Sequence, residues 1–536
     1  MKIAMLHGYL LHGSGSNIYV QNVTRELVNL GHEVYLFCQE RHPENYPFIK
    51  KAYKVKNGKV EEYFTRDSKF GAILVNPELD LLPVYVMDKY PEFKEVKLFI
   101  ELSQEELNEY INRNVNAMSL FFDDVKFDII HANHLVMMPY IANLLSEKYH
   151  VPFVITPHGS SLEYTIQKDS RYLKYAVKGL TKASFVLPGN ENFQNRLINF
   201  FKEKVYNLKE KMRIVPLGVN TKLFAPVPIG QRYKVLSELI EKLKTEKGGK
   251  TKTDEMNFLR QIQTASKDKI DEILRNVPQY SQRKPDESLP EKLERLDPER
   301  DRIVAFVGRL IPGKGIHNFL FAIMPLLPKY KDLKVIVAGV GPMREWSEWI
   351  VYAGSKGDVD LLKSLIDWGV KNFDKEKWLW DSLIAYFENN THQIENITFD
   401  CNRVIFTGFI EHKYLAPLLA FTEIACFPSL VPESFGLVLL EAASAGAIPI
   451  ASYFSGFKGI LNSFKEVLPE QNFELLTLPI SGPEVIPTMT NKISILLKER
   501  PDIRMKLREL VVKEFSWESV TRKLECVYND VLANAK

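Results

Sequence analysis

The chain has 536 residues, more than one hydrophobic core usually accommodates, so at least two domains are expected. Its 70 basic and 67 acidic residues leave a net charge of +3, and this balance argues against bulk attraction to nucleic acid or anionic lipid. Hydrophobic residues form 45% of the chain and charged residues 26%, which is ordinary for a globular protein.

The cysteines and the N-terminal stretch bear on the cellular compartment. No two cysteines form a CxxC pair, which favours free thiols over disulfides or zinc; they are Cys38, Cys401, Cys426 and Cys526. The opening stretch MKIAMLHGYL has one lysine and an apolar run too short for a secretory signal. We therefore expect a first β-strand there, in a cytoplasmic protein without a transmembrane segment.

The first 220 residues alternate strands with helices. KIAMLHG predicts a strand, NIYVQNVTRELVNLG an amphipathic helix, and HEVYLFCQ the next strand. FDIIHAN, PFVITPHG and ASFVLPGN then repeat the pattern of a short β-branched run that ends in a polar or glycine-containing turn. This alternation predicts a doubly wound parallel sheet, in which ligands bind beyond the carboxyl ends of the strands.

The pattern stops at residues 231–300 and then restarts. That segment is rich in Lys, Glu, Gln and Ser, so we expect exposed helices or a partly disordered excursion, either a solvated decoration or a partner-binding arm. A second set of strands follows, in DRIVAFVGRL, LKVIVAGVGP, NRVIFTGFI, EIACFPS and AIPIAS. A helical excursion at about 343–400 interrupts it, and its five tryptophans suggest a packed accessory cap. The two Rossmann-like halves suggest a cleft between them.

Two loops are candidate anion sites. In HGSGSN, Gly13 and Gly15 allow a sharp turn before a helix N-terminus, although a plain tight turn explains them equally well. No Gly-Lys-Ser/Thr follows and position 18 is Ile, so neither a P-loop nor a dinucleotide fingerprint is present. In GRLIPGKGI, Arg309 and Lys314 could neutralise a diphosphate without metal, or be surface charges on a Gly-Pro turn.

The segment PESFGLVLLEAASAGAIPIAS carries two carboxylates in an apolar stretch. Glu433 and Glu441 exclude a membrane span, and Gly446 predicts a helix end before a short strand. If the helix begins at Ser434, its first amides are free to bind a phosphate; they belong to Phe435, Gly436 and Leu437. On one helix the two acids would stand about 12 Å apart, too far to grip one small group. They could hold the two ends of a sugar nucleotide.

These residues resemble a known family. PESFGLVLLEAASAG resembles the E-x7-E signature of the family 4 retaining glycosyltransferases, and VGRLIPGKGI, AGVGP, FTGFI and VPLGVNTKLFAP follow the expected order and spacing. The resemblance implies the GT-B fold, with two Rossmann-like doubly wound parallel-sheet domains facing a central cleft. Residues 1–220 would form the acceptor domain, with a C-terminal helix at about 516–536 packed back on it. Residues 221–515 would form the nucleotide-sugar domain with insertions at about 231–300 and 343–400.

The resemblance also implies a role for each matched position. His158 would lie beside the transferred sugar, Arg309 and Lys314 would stabilise the departing diphosphate, and Glu433 would hold sugar hydroxyls. The implied donor-binding residues are Gly15, Gly308, Gly341, Gly408, Phe409, Ile410, Ser434, Phe435, Gly436, Leu437 and Glu441. Of these, Glu441 would contact the ribose of the nucleotide. The implied acceptor-binding residues are Ser14, Ser16 and Asn17. Pro312 and Gly313 stand where many relatives carry an acid, which bears on the local geometry.

The expected activity is retaining transfer of a hexosyl group, of the glucose or mannose class, from a UDP-, GDP- or ADP-linked sugar to an acceptor hydroxyl. The acceptor is expected to be a small soluble metabolite or glycoside, with no metal or cofactor required. Alternatives are a glycoside phosphorylase, a sugar-nucleotide epimerase, a lipid- or polysaccharide-directed glycosyltransferase and a non-catalytic sugar-nucleotide sensor. An oxidoreductase is disfavoured by the first loop. The oligomeric state is left open.

Three further patterns bear on metal ions and lipid. The DVD at Asp358–Asp360 lies in a helical excursion rather than at a strand end, so a metal role is disfavoured. His131 and His134 lack a third ligand in the sequence, so a loop role is expected rather than zinc. A basic helical face suggests solvent exposure or peripheral contact with lipid headgroups; it is formed by Arg171, Lys174, Lys178 and Lys182.

Overall fold

The computed structural model describes residues 1–87, 90, 92–277, 284–373, 376–499 and 502–534. Contacts divide the chain into two compact units, one of Met1–Gly218 with Phe515–Lys536 and one of Val219–Glu514. Part of the predicted 231–300 insertion and the last two residues of the predicted C-terminal helix lie outside the described residues. Among the helices that are described, none has the length and hydropathy to cross a bilayer.

The first unit is built on an eight-stranded sheet with the order β10-β9-β8-β1-β2-β5-β3-β4. All pairs are parallel except β3 with β4. The strands of this sheet are β1 Lys2–Leu6, β2 Glu33–Phe37, β3 Ile49–Lys56, β4 Lys59–Thr65, β5 Ala72–Pro77, β8 Ile129–Asn133, β9 Phe153–Thr156 and β10 Phe185–Val186. A separate parallel ribbon contains β6 Leu81–Val84 and β7 Glu95–Leu98.

Helices cover both faces of the middle of this sheet, so its central strands are apolar on both sides. In β1, Ala4 and Leu6 enter one hydrophobic core while Ile3 and Met5 enter the other. The helices of the unit are α1 Gly15–Asn29, α2 Gln104–Asp124, α3 Met138–Tyr149, α4 Gly159–Ser161, α5 Leu173–Lys182, α6 Glu191–Phe201 and the last helix of the chain, α22 Trp517–Asn534. The chain thus returns to this unit at its end, and Trp517 packs in the same core as Tyr19 of α1.

The second unit is built on a six-stranded, all-parallel sheet with the order β13-β12-β11-β14-β15-β16. Its strands are β11 Arg302–Val307, β12 Leu333–Ala338, β13 Val404–Phe406, β14 Ile424–Phe427, β15 Ile448–Ser452 and β16 Thr477–Leu478. The predicted doubly wound parallel α/β class is confirmed in both units.

Fifteen described helices accompany this sheet. They are α7 Arg232–Lys244, α8 Lys252–Thr264, α9 Ile270–Arg275, α10 Leu289–Leu293, α11 Ile316–Ile323, α12 Leu326–Lys329, α13 Arg344–Ser355, α14 Val359–Asn372, α15 Asp381–Glu395, α16 His412–Phe421, α17 Leu437–Ala445, α18 Ser455–Lys465, α19 Glu470–Leu476, α20 Val485–Glu499 and α21 Arg504–Phe515. The predicted change from helix to strand in the paired-glutamate segment is confirmed, because α17 ends at Gly446 and β15 follows.

The two helical excursions differ from expectation in one respect. The described part of 231–300 is helical and many of its residues are exposed, as expected, but it also contributes a fully buried lysine, Lys250, so it is not solvated throughout. Burying an ammonium is tolerated only with charged partners, which the second excursion supplies. In that second excursion Trp346, Trp349 and Trp380 are fully buried, whereas Trp378 is exposed.

Candidate functional site

An ion pair joins two loops of the second unit. Nζ of Lys314 donates to Oε1 of Glu433, although 119 positions separate the two residues in the chain. Both side chains are partly exposed, so ligands can reach them. Lys314 ends a short 3-10 turn after β11, and Gly315 then takes φ +72° to start α11. A side chain at Gly315 would collide with the carbonyl of Pro428, so glycine is required there.

Backbone hydrogen bonds explain why these loops meet. The carbonyl oxygen of Gly313 accepts from the amides of Leu430, at 2.8 Å, and Val431, at 3.2 Å. The carbonyl oxygen of Glu433 accepts from the amide of Gly456 and the hydroxyl of Ser455, both at 2.9 Å. The Pro-Gly pair before the lysine therefore still directs the lysine towards the glutamate.

The helix that follows Glu433 begins later than the sequence suggested. It starts at Leu437 rather than Ser434, because Gly436 takes φ +97° and a side chain there would strike Phe457. Glu433 consequently lies before the helix, so the spacing of about 12 Å for two acids on one helix does not apply. The amides of Phe435, Gly436 and Leu437 have no hydrogen-bond partner among the described residues. They remain available to an anion at the positive end of α17.

Glu441, in the body of α17, is buried. Burial raises the pKa of its carboxyl, and the nearby His412 opposes the shift. Nε2 of His412 lies 3.5 Å from Oε1 of Glu441, and the His412 ring packs edge-on against Phe224. Sequence reasoning missed His412, because a histidine that begins an ordinary helix carries no local signal.

Three glycine-containing loops meet at the carboxyl ends of β11, β12 and β13. The amide of Gly308 donates to the carbonyl of Ala338 at 3.0 Å, and the amide of Gly339 donates to Gly408 at 3.0 Å. A side chain at Gly341 would collide with the carbonyl of Leu310. Phe409 and Ile410 follow Gly408, and Ile410 is buried. The implied donor glycines 308, 341 and 408 therefore line one edge of the second sheet.

Arg309 stands apart from these groups. Its side chain is exposed and makes no hydrogen bond or ion pair with any residue that the structure describes. The structure thus brings Lys314 and Glu433 together but leaves Arg309 outside their contact. An exposed guanidinium at a loop remains able to reach a phosphate.

In the first unit, His158 follows β9 at the carboxyl edge of the sheet. Its Nε2 lies 3.2 Å from Oδ1 of Asn133, at the end of β8. Burial, with smaller contributions from His7 and His131, lowers the pKa of His158 to about 3. The imidazole is therefore neutral at physiological pH and can only donate or accept a hydrogen bond.

Further aromatic rings surround this histidine. His134, just after β8, lies 4.7 Å from the His158 ring and 5.7 Å from the His7 ring, measured between centroids. Both ring nitrogens of His134 are buried without a partner among the described residues. Burial lowers the pKa of His134 well below its usual value. His131, expected in a loop, instead lies inside β8, where it contacts Thr156 and Tyr528, because its ring faces the packed α22.

The HGSGSN loop leads into α1. Gly15 and Ser16 begin the helix, and the hydroxyl of Ser14 accepts the amide of Asn17 as the N-cap. Asn17 is buried and contacts Nε2 of His7 at 3.0 Å, so it supports the loop from inside. The acceptor role implied for Ser14, Ser16 and Asn17 stays a prediction.

Glu40, which sequence reasoning missed, anchors the same loop. This buried carboxylate accepts the amide of Leu11 at 3.1 Å and the hydroxyl of Tyr46 at 3.0 Å. Nδ1 of His12 lies 3.5 Å away. A glutamate after an apolar strand gave no signal, because its partners are distant in the sequence.

The described residues hold no group of three His, Cys, Asp or Glu side chains placed to bind a metal ion. Asp358 instead caps α14 by accepting the amide of Leu361, and Asp360 pairs with Lys267. On the basic face of α5, Lys174 and Lys178 lie over tyrosine rings, while Arg171 pairs with Asp169 just before the helix.

Comparison with known proteins gives matches in both units. A model described as Glycosyltransferase Family 4 matches residues 13–223, and one described as Glycosyl transferases group 1 matches residues 398–476. The chain is 25% identical over 244 residues to a lipopolysaccharide 1,2-N-acetylglucosaminetransferase of Salmonella typhimurium, covering 45% of this chain and 51% of that protein. It is 24% identical over 228 residues to an uncharacterized glycosyltransferase of Methanocaldococcus jannaschii, covering 42% of this chain and 45% of that protein. The matches span about half the length of these curated relatives.

Solved structures share the fold over the whole chain. The catalytic domain of starch synthase IV from Arabidopsis thaliana, bound to ADP and acarbose, aligns over 99% of both chains with a TM-score of 0.53 and 13% identity. Sucrose-phosphate synthase from Thermosynechococcus elongatus aligns over 99% of both chains with a TM-score of 0.50 and 19% identity. At such low identity these similarities establish the fold alone.

Proposed function

The chain belongs to family 4 of the glycosyltransferases, with the GT-B fold, and from this premise we propose that it transfers a hexosyl group from a nucleotide diphosphate sugar to an acceptor hydroxyl. The observation that carries the proposal is the ion pair between Lys314 and Glu433, next to the free amides that precede α17. A cation for a diphosphate and a carboxylate for sugar hydroxyls lie side by side.

The proposed chemistry places negative charge on the departing diphosphate. Lys314, Arg309 and the amides of Phe435, Gly436 and Leu437 would stabilise that charge as it develops, without metal. On donor binding, Glu433 would exchange Lys314 for the hydroxyls of the sugar. Glu441 would bind the ribose, and His158 would contact the transferred sugar. Family resemblance supports retention of the anomeric configuration, with the leaving phosphate accepting the proton of the acceptor.

The proposed donor sugar is of the glucose or mannose class, and the proposed acceptor is a small soluble metabolite or glycoside in the cytoplasm. The free cysteines Cys38 and Cys426, both buried, support a reducing compartment. A lipid- or polysaccharide-directed reaction is the second candidate. The match to a lipopolysaccharide-modifying enzyme favours it, as do the exposed Lys174 and Lys182 of α5.

The test is thermal unfolding with UDP-, GDP- and ADP-sugars, with EDTA throughout and NAD as the control ligand. A donor at about 100 times its dissociation constant adds roughly 2.7 kcal/mol to the free energy of unfolding, which is visible as a raised midpoint. Product analysis with the donor that binds, with and without inorganic phosphate and acceptor, separates transfer from phosphorolysis and epimerisation. No shift with any sugar nucleotide, or a shift with NAD alone, would overturn the proposal.

A further inference from the structure

The first insertion reaches the loop after β13. The amide of Asp286 donates to the carbonyl of Thr407 at 2.9 Å, and Pro285 forms an antiparallel bridge with Gly408. The space beside the Gly408 Cα is filled by the carboxylate of Asp286, since a side chain at position 408 would collide with it. A segment of the 231–300 insertion therefore lies directly on the loop that begins at Gly408.

A buried ionic network holds this segment in place. The carboxylate of Asp286 accepts from Nη2 of Arg344 at 2.6 Å, and Arg344 also pairs with Glu348 at 2.7 Å. Nζ of Lys250 lies 2.6 Å from Glu348 and 3.2 Å from Glu345. Lys250 and Asp286 come from the first insertion, whereas the other three come from α13 in the second excursion. The two insertions thus join each other beneath Gly408.

Burial makes this network rigid. Lys250, Asp286 and Arg344 are each less than 5% exposed, so water cannot replace a lost partner. Breaking such a pair leaves an uncompensated buried charge, which costs far more than breaking a surface pair. The carboxylate of Asp286 can therefore move little while Arg344 remains in place.

A second contact joins the insertion to the residues that follow the loop. Glu246, also in the first insertion, accepts from Nζ of Lys284 at 2.6 Å and from the hydroxyl of Tyr414 at 2.7 Å. Lys284 lowers the pKa of Glu246, with Tyr414 adding to the effect. Tyr414 lies in the first turn of α16, immediately after the loop. The insertion is thus joined to the chain at the start of the loop, at Thr407 and Gly408, and after its end, at Tyr414.

We propose that the first insertion supports the donor site. In this site Asp286 is a positioning residue for the loop Gly408–Ile410, which would border the nucleobase. This inference rests on the proposed function and on the donor-binding role that the family resemblance implies for Gly408, Phe409 and Ile410, whose main-chain groups would border the base. Main-chain recognition depends on the position of the backbone. A loop that is held before Gly408 and after Ile410 therefore loses less conformational entropy when the nucleotide binds. The insertion therefore acts on affinity for the nucleoside end of the donor and not for its diphosphate.

The experiment compares nucleoside diphosphates with inorganic diphosphate, which lacks the nucleoside. Dissociation constants for UDP, GDP, ADP and inorganic diphosphate are measured by calorimetry on the full chain and on Asp286→Asn. Glu291→Gln is the matched control, because it neutralises an exposed carboxylate of the same insertion that pairs with Lys252 and makes no hydrogen bond or ion pair with Gly408, Phe409 or Ile410 among the described residues. We expect Asp286→Asn to weaken the preferred nucleotide about tenfold and inorganic diphosphate less than twofold. Glu291→Gln should change neither.

The outcomes separate this inference from the function on which it rests. If the wild-type chain binds a nucleotide and Asp286→Asn binds it equally well, only the positioning role is overturned. Equal weakening of nucleotide and inorganic diphosphate would also overturn it, because that pattern indicates general loosening of the fold. If no nucleotide binds the wild-type chain, the proposed function fails with it. Should Asp286→Asn not fold, Glu246→Gln tests the contact with Tyr414, with the same selective loss expected at about threefold.

Discussion

The imidazole of His158 and the side-chain amide of Asn133 form a hydrogen bond of 3.2 Å at the carboxyl edge of the first sheet. The amide nitrogen of Asn133 donates to the carbonyl of Leu6 at 3.2 Å, so its oxygen faces the histidine. Nε2 of His158 must then carry the proton, which leaves Nδ1 as an acceptor. Because the pKa of His158 is lowered to about 3, this neutral form persists across the physiological range.

Replacing Asn133 with Asp should change how His158 titrates. A carboxylate beside Nε2 favours the protonated imidazole, so the pKa of His158 rises and Nδ1 is protonated over a wider range of pH. We expect turnover of the variant to fall as pH decreases through the raised pKa, while the wild type stays flat there. The pH dependence of turnover measures this. Asn114→Asp, at another buried asparagine of the same unit, is the control and should leave the profile flat.

Replacing Lys314 with Ala should abolish most of the transfer without unfolding the second unit. The variant loses the cation proposed for the departing diphosphate, and we expect turnover to fall at least about 100-fold. Turnover of Glu433→Ala should fall by a similar factor, since this variant loses the carboxylate proposed to hold the hydroxyls of the donor sugar. Lys334→Ala, which removes a partly buried lysine near Asp301, is the matched control. Near-normal rates in both Lys314→Ala and Glu433→Ala would refute the site.

Replacing Glu441 with Gln should stabilise the fold and weaken nucleotide binding. Burial raises the folded-state pKa of Glu441 above its usual value, so the stability it contributes is present at low pH and is lost as pH rises through that pKa. The side-chain amide of the Gln variant stays uncharged at every pH, so the variant keeps this stability as pH rises. We expect the variant to exceed the wild type in urea midpoint at about pH 8, with a smaller gain at about pH 5. Calorimetry with UDP should show weaker binding by the variant. Equal urea midpoints of the variant and the wild type at both pH values would contradict the prediction.

Acid should destabilise the first unit through its buried neutral histidines. Burial lowers the pKa of His131 to about 3, below the usual 6.5, so the unfolded chain binds its proton first. Stability is then fully present above about pH 6.5 and is lost as pH falls towards the folded-state pKa. We expect His131→Gln to cost about 1 to 2 kcal/mol near neutral pH, through lost contacts with Tyr528 and Thr156, but to show a shallower acid dependence. Urea unfolding across this range tests the slope, and parallel curves would contradict the assignment.

Much of the fold was predictable from local patterns. Strands such as KIAML and IPIAS are short β-branched or apolar runs bounded by turns, and Gly446 marks the end of α17 in the sequence as in the structure. The start of that helix was placed three residues too early, at Ser434, because the left-handed conformation of Gly436 depends on its packing against Phe457. Such a conformation is decided by a neighbour that is distant in the chain.

The candidate site shows the same division between features set by near neighbours and features set by long-range contacts. Periodicity, turn residues and motif order depend on near neighbours, so the sequence alone was enough to indicate two parallel α/β halves and to single out Lys314 and Glu433, whereas His158 was implied only by the family resemblance. The partner of each residue depends on long-range contacts. Asn133 meets His158 only because β8 and β9 are adjacent in the sheet. Asp286 meets Arg344 and Gly408 only because two insertions fold onto one strand end. Burial then makes these pairings obligatory, since an ionic or polar group removed from water must find its partner within the protein.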